Sequence, residues 1–255
     1  MLTATIELIH KHASVRRYKS DPVERKLVKE IVVAGQRAST SSNMQCYSVV
    51  AVTDAEKRAR LAELCGNQKH ILQAPVFLAW CADLSRLDRV CERRGYEQVS
   101  ENVESFLVSA VDVALAMQNA TLAAESLGLG MCYIGAIRNN TRQVIELLSL
   151  PKLVFPISGM TLGWPATEPK LRPRLPLDAV LHWETYSTAG EEEAIREYDQ
   201  AMMATGIYAG RQIQTASGSA VTRQYDWSEH TARRVSRPVR VALKRELAEQ
   251  GFLLK

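Results

Sequence analysis

The stretch ATLAAESLGLGMCYIGAIRNN, residues 120–140, decides how the chain is read. Its first part continues an apolar, alanine-rich pattern from Ser109. Its middle holds Gly128 and Gly130, and its end is a short apolar run, CYIGAI. The glycines invite a dinucleotide-binding reading, which fails on order. Such a fingerprint needs a strand, then glycines, then a helix whose N-terminus faces a pyrophosphate. Here a helical pattern precedes the glycines and a strand pattern follows them. The spacing therefore predicts a helix over 109–130 ended by its glycines, then a strand. Gly135, read as lying within that strand, marks a place where another backbone or a flat ligand comes close.

Apolar or small residues around most of the 109–130 helix predict burial on several sides. Alanines 110, 114, 116, 120, 123 and 124 permit close helix approach. A dimer seam and an ordinary core helix both suit this pattern. Upstream, SDPVERKLVKEIVVAG predicts a helix capped by Asp21, with Pro22 in its first turn and Glu24 three residues after the cap. CYSVVAVTD and APVFLAWCAD read as buried strands with a helix, DAEKRARLAELCG, between them. Residues 84–104 are charged and read as a surface excursion. Downstream, NNTRQVIELLSL reads as a capped helix and LVFPISGMTLGW as a strand. EEEAIREYDQAMMA reads as a helix, 205–226 as a Gly/Ser/Thr-rich loop, and the C-terminal segment as helical with a break at Pro238.

The 255 residues suffice for a large core. A net charge of +4 is mild, but the basic residues cluster at 12–19, at 170–174 and from Arg223 to Arg245. No apolar run approaches the roughly 20 residues that span a bilayer, and the N-terminus lacks a signal-peptide pattern. The expectation is a soluble, cytoplasmic protein with no membrane partner. Five cysteines without a CxxC pair point to free thiols in a reducing compartment. The five histidines show no metal-binding spacing.

No nucleophile has a base beside it in sequence, and no spaced carboxylate pair stands out. What recurs are cations, hydroxyls and amides. In HASVRRYKS (12–20), His12, Ser14 and Arg16 alternate, so an extended backbone points all three toward one anionic object, whereas a solvated basic turn would leave them separate. Arg172 and Arg174 alternate between prolines that stiffen the chain, which suits either an anion clamp or a surface turn. STSSNMQ (39–45) adds hydroxyls and amides after the second helix, where a plain terminating loop is the simpler reading. This inventory suits holding a flat, phosphorylated cofactor whose own ring carries the chemistry.

Together TIELIHKHASVRRY, STSSNMQCYS, GNQKHILQAP, MQNATLAAESLGLGMCYIGAIRNN, LGWPATEPKLRPRLP and WSEHTARRVSRP resemble the FMN-dependent nitroreductase superfamily, in its NADPH-preferring, oxygen-insensitive nitroreductase and flavin reductase branch. The resemblance covers most of the chain. It implies an α+β fold with a mainly antiparallel central sheet flanked by helices, built as an intertwined homodimer. It implies a single domain over 1–255, with an FMN-binding core at 5–175 and a C-terminal excursion at 176–255 that carries a mobile loop, 205–226, and terminal helices.

By the same resemblance His12, Ser14, Arg16 and Arg174 hold the FMN phosphate and ribityl end, and Gln68 approaches the ring or ribityl chain. Ser41 and Gln45 reach the flavin from the partner subunit. The backbone of Tyr133, Ile134, Gly135 and Ala136 runs beside the ring with Gly135 near N5, and Arg172 faces the N1 and C2 carbonyl edge. Arg211 and Arg223 are candidates for NADPH, and Arg138 and Arg237 for the acceptor side. Asn43 stands where a close relative carries an aromatic, and Arg172 replaces a more familiar lysine. The implied activity is ping-pong hydride transfer from NADPH through FMN to nitroaromatics, quinones or free flavin as small-molecule acceptors. From another class, the basic C-terminal segment allows a nucleic-acid-binding reading, which predicts a colourless protein and a steep salt dependence.

Overall fold

The computed structural model describes residues 2–211 and 225–255. Its chain contacts divide into two compact units, one of residues up to Pro169 together with Arg240–Lys255, the other Lys170–Val239.

The first unit is built on a four-stranded sheet of β1 (Tyr47–Val52), β2 (Val76–Asp83), β3 (Gly130–Ile134) and β4 (Val154–Gly163). The order is β1-β2-β4-β3 and every pair is antiparallel, as the resemblance implies. β2 is buried along its whole length, as its apolar run predicts. β1 is an edge strand and only half-buried, a correction to its reading as a buried strand, because an edge strand lacks a neighbour on one side. Between Trp80 and Cys81 the β2–β4 register slips by one residue, leaving Ile157 of β4 without a partner on β2 beside Pro156, which has no N–H to give the ladder.

Around the sheet run α1 (Ala4–His10), α2 (Arg25–Gly35), α3 (Ala55–Leu64), α4 (Lys69–Gln73), α5 (Ser85–Arg94), α6 (Val103–Ser126), α7 (Thr141–Leu148) and, at the chain's end, α10 (Leu243–Glu249). α6 begins six residues before the expected start, capped by Asn102, whose side chain accepts the Ser105 N–H. Its buried alanines 116, 120 and 124 lie one turn apart. A Cβ on Gly35 of α2 would sit 2.9 Å from the Ala116 carbonyl oxygen, so the two helices approach at glycine and alanine as the small residues foretell. α6 ends as read: Gly128 is left-handed, its N–H reaches the Glu125 carbonyl and the Leu129 N–H the Ala124 carbonyl. By length and composition α6 could cross a membrane. Eight of its residues, Asp112 among them, are buried in the core.

Three further expectations are corrected. α2 starts at Arg25 with Glu24 at its cap and no side-chain capping bond, so Asp21 does not cap it. Residues 85–94 of the expected surface excursion form a regular helix, α5; of its apolar residues Leu87 and Cys91 are partly buried a turn apart and Val90 is exposed, and the intervening charges mask the pattern. The strand after α6 stops at Ile134, and Gly135–Arg138 form a 3-10 turn.

The second unit contains α8 (Glu191–Ala204) and α9 (Trp227–Val235), with Pro238 beyond α9 as expected. Asp199 of α8 accepts both the N–H and the hydroxyl of Ser228 at the start of α9.

Candidate functional site

The segment His12–Tyr18 is extended and pinned to β3. The Val15 N–H donates to the Met131 carbonyl at 2.8 Å, and Tyr18 bridges to Pro165. Ala13, Val15 and Tyr18 are buried, while Ser14 and Arg16 are exposed and His12 is half-buried. The alternation read from sequence is present over 12–16, where the three polar side chains share one side because Ala13 and Val15 occupy the other; beyond it Arg17 is exposed and Tyr18 buried. A Cβ on Gly130 would lie 2.5 Å from Val15 Cγ2, so the contact between strip and strand needs a residue without a side chain. Tyr18 closes the strip, donating to the Val15 carbonyl or pairing with Thr161, both at 2.8 Å, and burial pushes its phenol well above its ordinary pKa.

His12 has a partner that local sequence gives no sign of. Its Nδ1 lies 2.6 Å from the Glu125 carboxylate in the last turn of α6. This fixes the ring and leaves Nε2 without a protein partner among the described residues. Ser14 and Arg16 sit beside Cys132: burial pushes that thiol up, against the opposing pull of the Arg16 charge and a hydrogen bond from Ser14. Arg16 also neighbours His70 at the start of α4. Burial first, and then the Arg16 charge, hold the His70 imidazole below its usual pKa, and its Nε2 is buried with no partner among the described residues.

Gln68, immediately before α4, donates to the Cys65 carbonyl at 2.8 Å. The loop it belongs to lies against the turn after β3, where Asn140 Nδ2 donates to the Leu64 carbonyl at 2.8 Å. Tyr133 sends its side chain to α6, where its hydroxyl pairs with Thr121 at 2.6 Å and reaches Gln118. Ile134 is buried opposite Gly159, and Ala136 is half-buried in the turn. At Gly135, among the described residues and chain neighbours aside, the space a Cβ would take is bounded within 4 Å by terminal nitrogens of Arg138 and Arg240.

The loop carrying Ser41, Asn43 and Gln45 is tied to α6 by Asp112, a second residue the sequence reading missed. Its Oδ1 accepts the Ser41 N–H and its Oδ2 the Cys46 N–H, each at 3.0 Å. Ser42, Asn43 and Gln45 all take positive φ, between 47° and 55°, so the loop is a fixed, strained turn rather than a plain helix-terminating loop. Both are carboxylates on α6, and local sequence names neither one's partner, which lies more than 60 residues away.

Arg172, Arg174, Arg211 and Arg237 belong to the second unit. Arg174 donates to the carbonyls of Arg172 and Pro173, and the Pro173 carbonyl also accepts the Tyr198 hydroxyl. Arg211 lies over the Tyr208 and Tyr225 rings and 3.1 Å from His230 Nδ1. Arg223 lies outside the described residues. Arg233 and Arg245, which prompted the nucleic-acid reading, pair with Glu229 and Glu249 one turn away.

The donors gathered in the first unit are two imidazoles, a hydroxyl and a guanidinium, with the unpartnered His70 Nε2 among them. Such a set fits a phosphorylated group. An antiparallel α+β unit presenting a cationic, hydroxyl-bearing strip along β3 is of the class that can hold a phosphorylated cofactor.

The chain belongs to the nitroreductase family: residues 9–164 match the model of the Nitroreductase family and residues 172–255 that of the Nitroreductase family, C-terminal domain. It is 38% identical to the oxygen-insensitive NADPH nitroreductase of Salmonella typhimurium, over 98% of this chain and 99% of that protein. It is 36% identical to an FMN reductase (NADPH) of Bacillus subtilis, over 97% of this chain and 98% of that one. The solved structure of B. megaterium NfrA2 is similar over the full length of both chains, with 35% identity and a TM-score of 0.91.

Proposed function

We propose that the protein is an FMN-dependent NADPH oxidoreductase that passes two electrons to nitroaromatics, quinones or similar small acceptors. The observation that carries this reading is the strip of His12, Ser14 and Arg16, held to β3 by the buried alternate residues Ala13 and Val15. The relatives' names, a nitroreductase and an FMN reductase, support both the cofactor and the co-substrate. Free flavin as acceptor is the second reading, favoured by the name of the Bacillus relative.

In this reading Ser14, Arg16 and the Glu125-oriented His12 bind the FMN phosphate, with Arg174, and Gln68 meets the ribityl chain or ring. The backbone of Tyr133–Ala136 lies along the ring, and Arg172 offers a positive charge to the edge where negative charge accumulates on reduction. FMN, when bound, supplies the two-electron redox chemistry. Arg211 and Arg223 serve NADPH, and Asn43, Arg138 and Arg237 border the place that NADPH and the acceptor use in turn. Ser41 and Gln45 act across a homodimer. The unpaired face of α6 supports that assembly: Val103, Leu107, Val111 and Leu115 recur every fourth residue and are each more than 40% exposed.

The test is anaerobic addition of NADPH to the purified protein, followed by a panel of acceptors. The expected result is a yellow protein whose visible absorbance falls on NADPH addition and returns with a nitroaromatic or quinone. A colourless protein, or one whose absorbance NADPH leaves unchanged, overturns the reading. Recovery with free FMN faster than with any other acceptor selects the second reading.

A further inference from the structure

Arg240 enters none of these roles, and its setting is unusual. It returns to the first unit, half-buried, with φ of 53°, a backbone conformation that residues carrying a Cβ seldom adopt. Its Nε donates to the Asn139 side-chain oxygen at 3.1 Å. One terminal nitrogen then lies 4.0 Å from the point that a Cβ on Gly135 would occupy, and a terminal nitrogen of Arg138 lies 3.7 Å from that same point. Arg138 is held there by the strand irregularity: its other terminal nitrogen donates to the carbonyl of Ile157, the residue left unpaired with β2 by the register slip. Two guanidinium groups are thus fixed by neutral acceptors, each with a terminal nitrogen within 4.0 Å of one point beside Gly135. Neither has a carboxylate partner among the described residues, and like charges held this close repel unless an anion lies between them.

We propose that Arg138 and Arg240 form an oxyanion subsite at Gly135, which holds the negatively charged group of the electron acceptor. The planar guanidinium matches carboxylate and tetrahedral oxyanions through paired N–H bonds, and anchoring by Ile157 and Asn139 leaves less freedom to lose on binding. Burial, and then the charge of Arg240, pull the Arg138 pKa below its ordinary value, the direction expected where a counter-charge is missing. The identity of the occupant as an acceptor rests on the function proposed above, whereas the anion site itself does not.

Isothermal titration calorimetry of the flavin-loaded protein with sulfate, a dianion that is not reduced under these conditions, tests the site. One sulfate per chain is expected, with affinity falling about tenfold or more in Arg138→Gln and in Arg240→Gln. Arg142→Gln, which alters an exposed pair with Glu146 on α7, leaves it unchanged. Absent sulfate binding in the unaltered protein, equal affinity in Arg240→Gln, or loss confined to Arg16→Gln overturns the subsite. A protein that purifies without flavin defeats the proposed function but leaves the Arg240 comparison readable. The occupant is then decided by two pairs of ligands. Tighter binding of 4-nitrobenzoate than of 4-nitrobenzamide, lost in Arg240→Gln, supports the acceptor; an Arg240-dependent preference for adenosine 2′,5′-bisphosphate over adenosine 5′-monophosphate, without the first, assigns the anion to the co-substrate and overturns the acceptor role.

Discussion

The segments His12–Arg16 and Arg172–Arg174 carry the same local signature, polar or cationic side chains at alternate positions, yet the chain fixes them by different means. In the first, the intervening Ala13 and Val15 are buried and the backbone is bonded to β3, so the tertiary core orients the polar side. In the second, Pro173 lies between the arginines, both of which are exposed, and Arg174 bonds to carbonyls within its own tripeptide. A strip oriented by a core is coupled to global stability. A strip oriented by prolines and local bonds is not.

The sharpest way to break this contrast is to disturb what lies beneath each strip. Gly130→Val drives side-chain atoms into Val15, whose Cγ2 already lies 2.5 Å from the new Cβ position. We expect a loss of about 1–3 kcal/mol and a Tm lower by several degrees, with the flavin shed during purification. Pro173→Ala should cost less than about 1 kcal/mol, chiefly through a freer unfolded chain. Thermal unfolding followed by circular dichroism measures both; equal losses would show that the two strips are held alike.

The next effect is on binding. Charge-assisted hydrogen bonds contribute roughly 1.5–3 kcal/mol each, so Arg16→Gln should weaken FMN binding by about one to two decades. Arg174→Gln should act in the same direction and fall at the lower end of that range, because Arg174 keeps bonds to its own backbone. Fluorescence titration of the apoprotein with FMN reads both, and unchanged affinity in the two variants would remove the phosphate clamp.

The same contrast explains what could be read from the chain in advance. The end of α6 was legible because Gly128 is needed for a left-handed turn, a requirement that one residue states by itself. The one-sided strip was legible because alternation is a property of five consecutive residues, 12–16. Helix α5 was not, since its partly buried positions are outnumbered by charges, and neither was the start of α2, where Asp21 and Pro22 satisfy a local capping rule that the tertiary path does not use. Glu125 and Asp112 were missed for a deeper reason. Each carboxylate acts on a segment more than 60 residues away, on His12 in one case and on Ser41 and Cys46 in the other, and no local pattern records such a pairing.

Glu125 therefore offers a way to sharpen the comparison, because it gives the first strip a support with no counterpart in the second. Glu125→Gln keeps an acceptor for His12 Nδ1–H but removes the negative charge, whereas Glu125→Leu removes both. We expect FMN affinity to fall severalfold in Glu125→Gln and about tenfold in Glu125→Leu, as a positioning residue of this kind does for a histidine it orients. Combining either with His12→Ala should add little further loss, since the two act as a unit. Full additivity in that double-mutant cycle would show that Glu125 does not act through His12.

The smallest expected effect concerns pH and the place where the first strip meets α4. His70 is buried and its imidazole is held below the usual pKa, first by burial and then by the Arg16 charge. The unfolded chain takes up a proton at this histidine near pH 6.5, at higher pH than the folded chain does. Its contribution to stability is thus fully present above that pH and declines as the pH falls below it. Unfolding by urea at pH 7.5 and pH 5.5 should show a loss in the unaltered protein that is smaller in His70→Asn, which cannot titrate. Arg16→Gln should narrow the difference by a lesser amount, because it removes the second cause and leaves burial in place. An unchanged pH dependence in His70→Asn would mean that the loss arises elsewhere and that the imidazole beside Arg16 is not strained by its position.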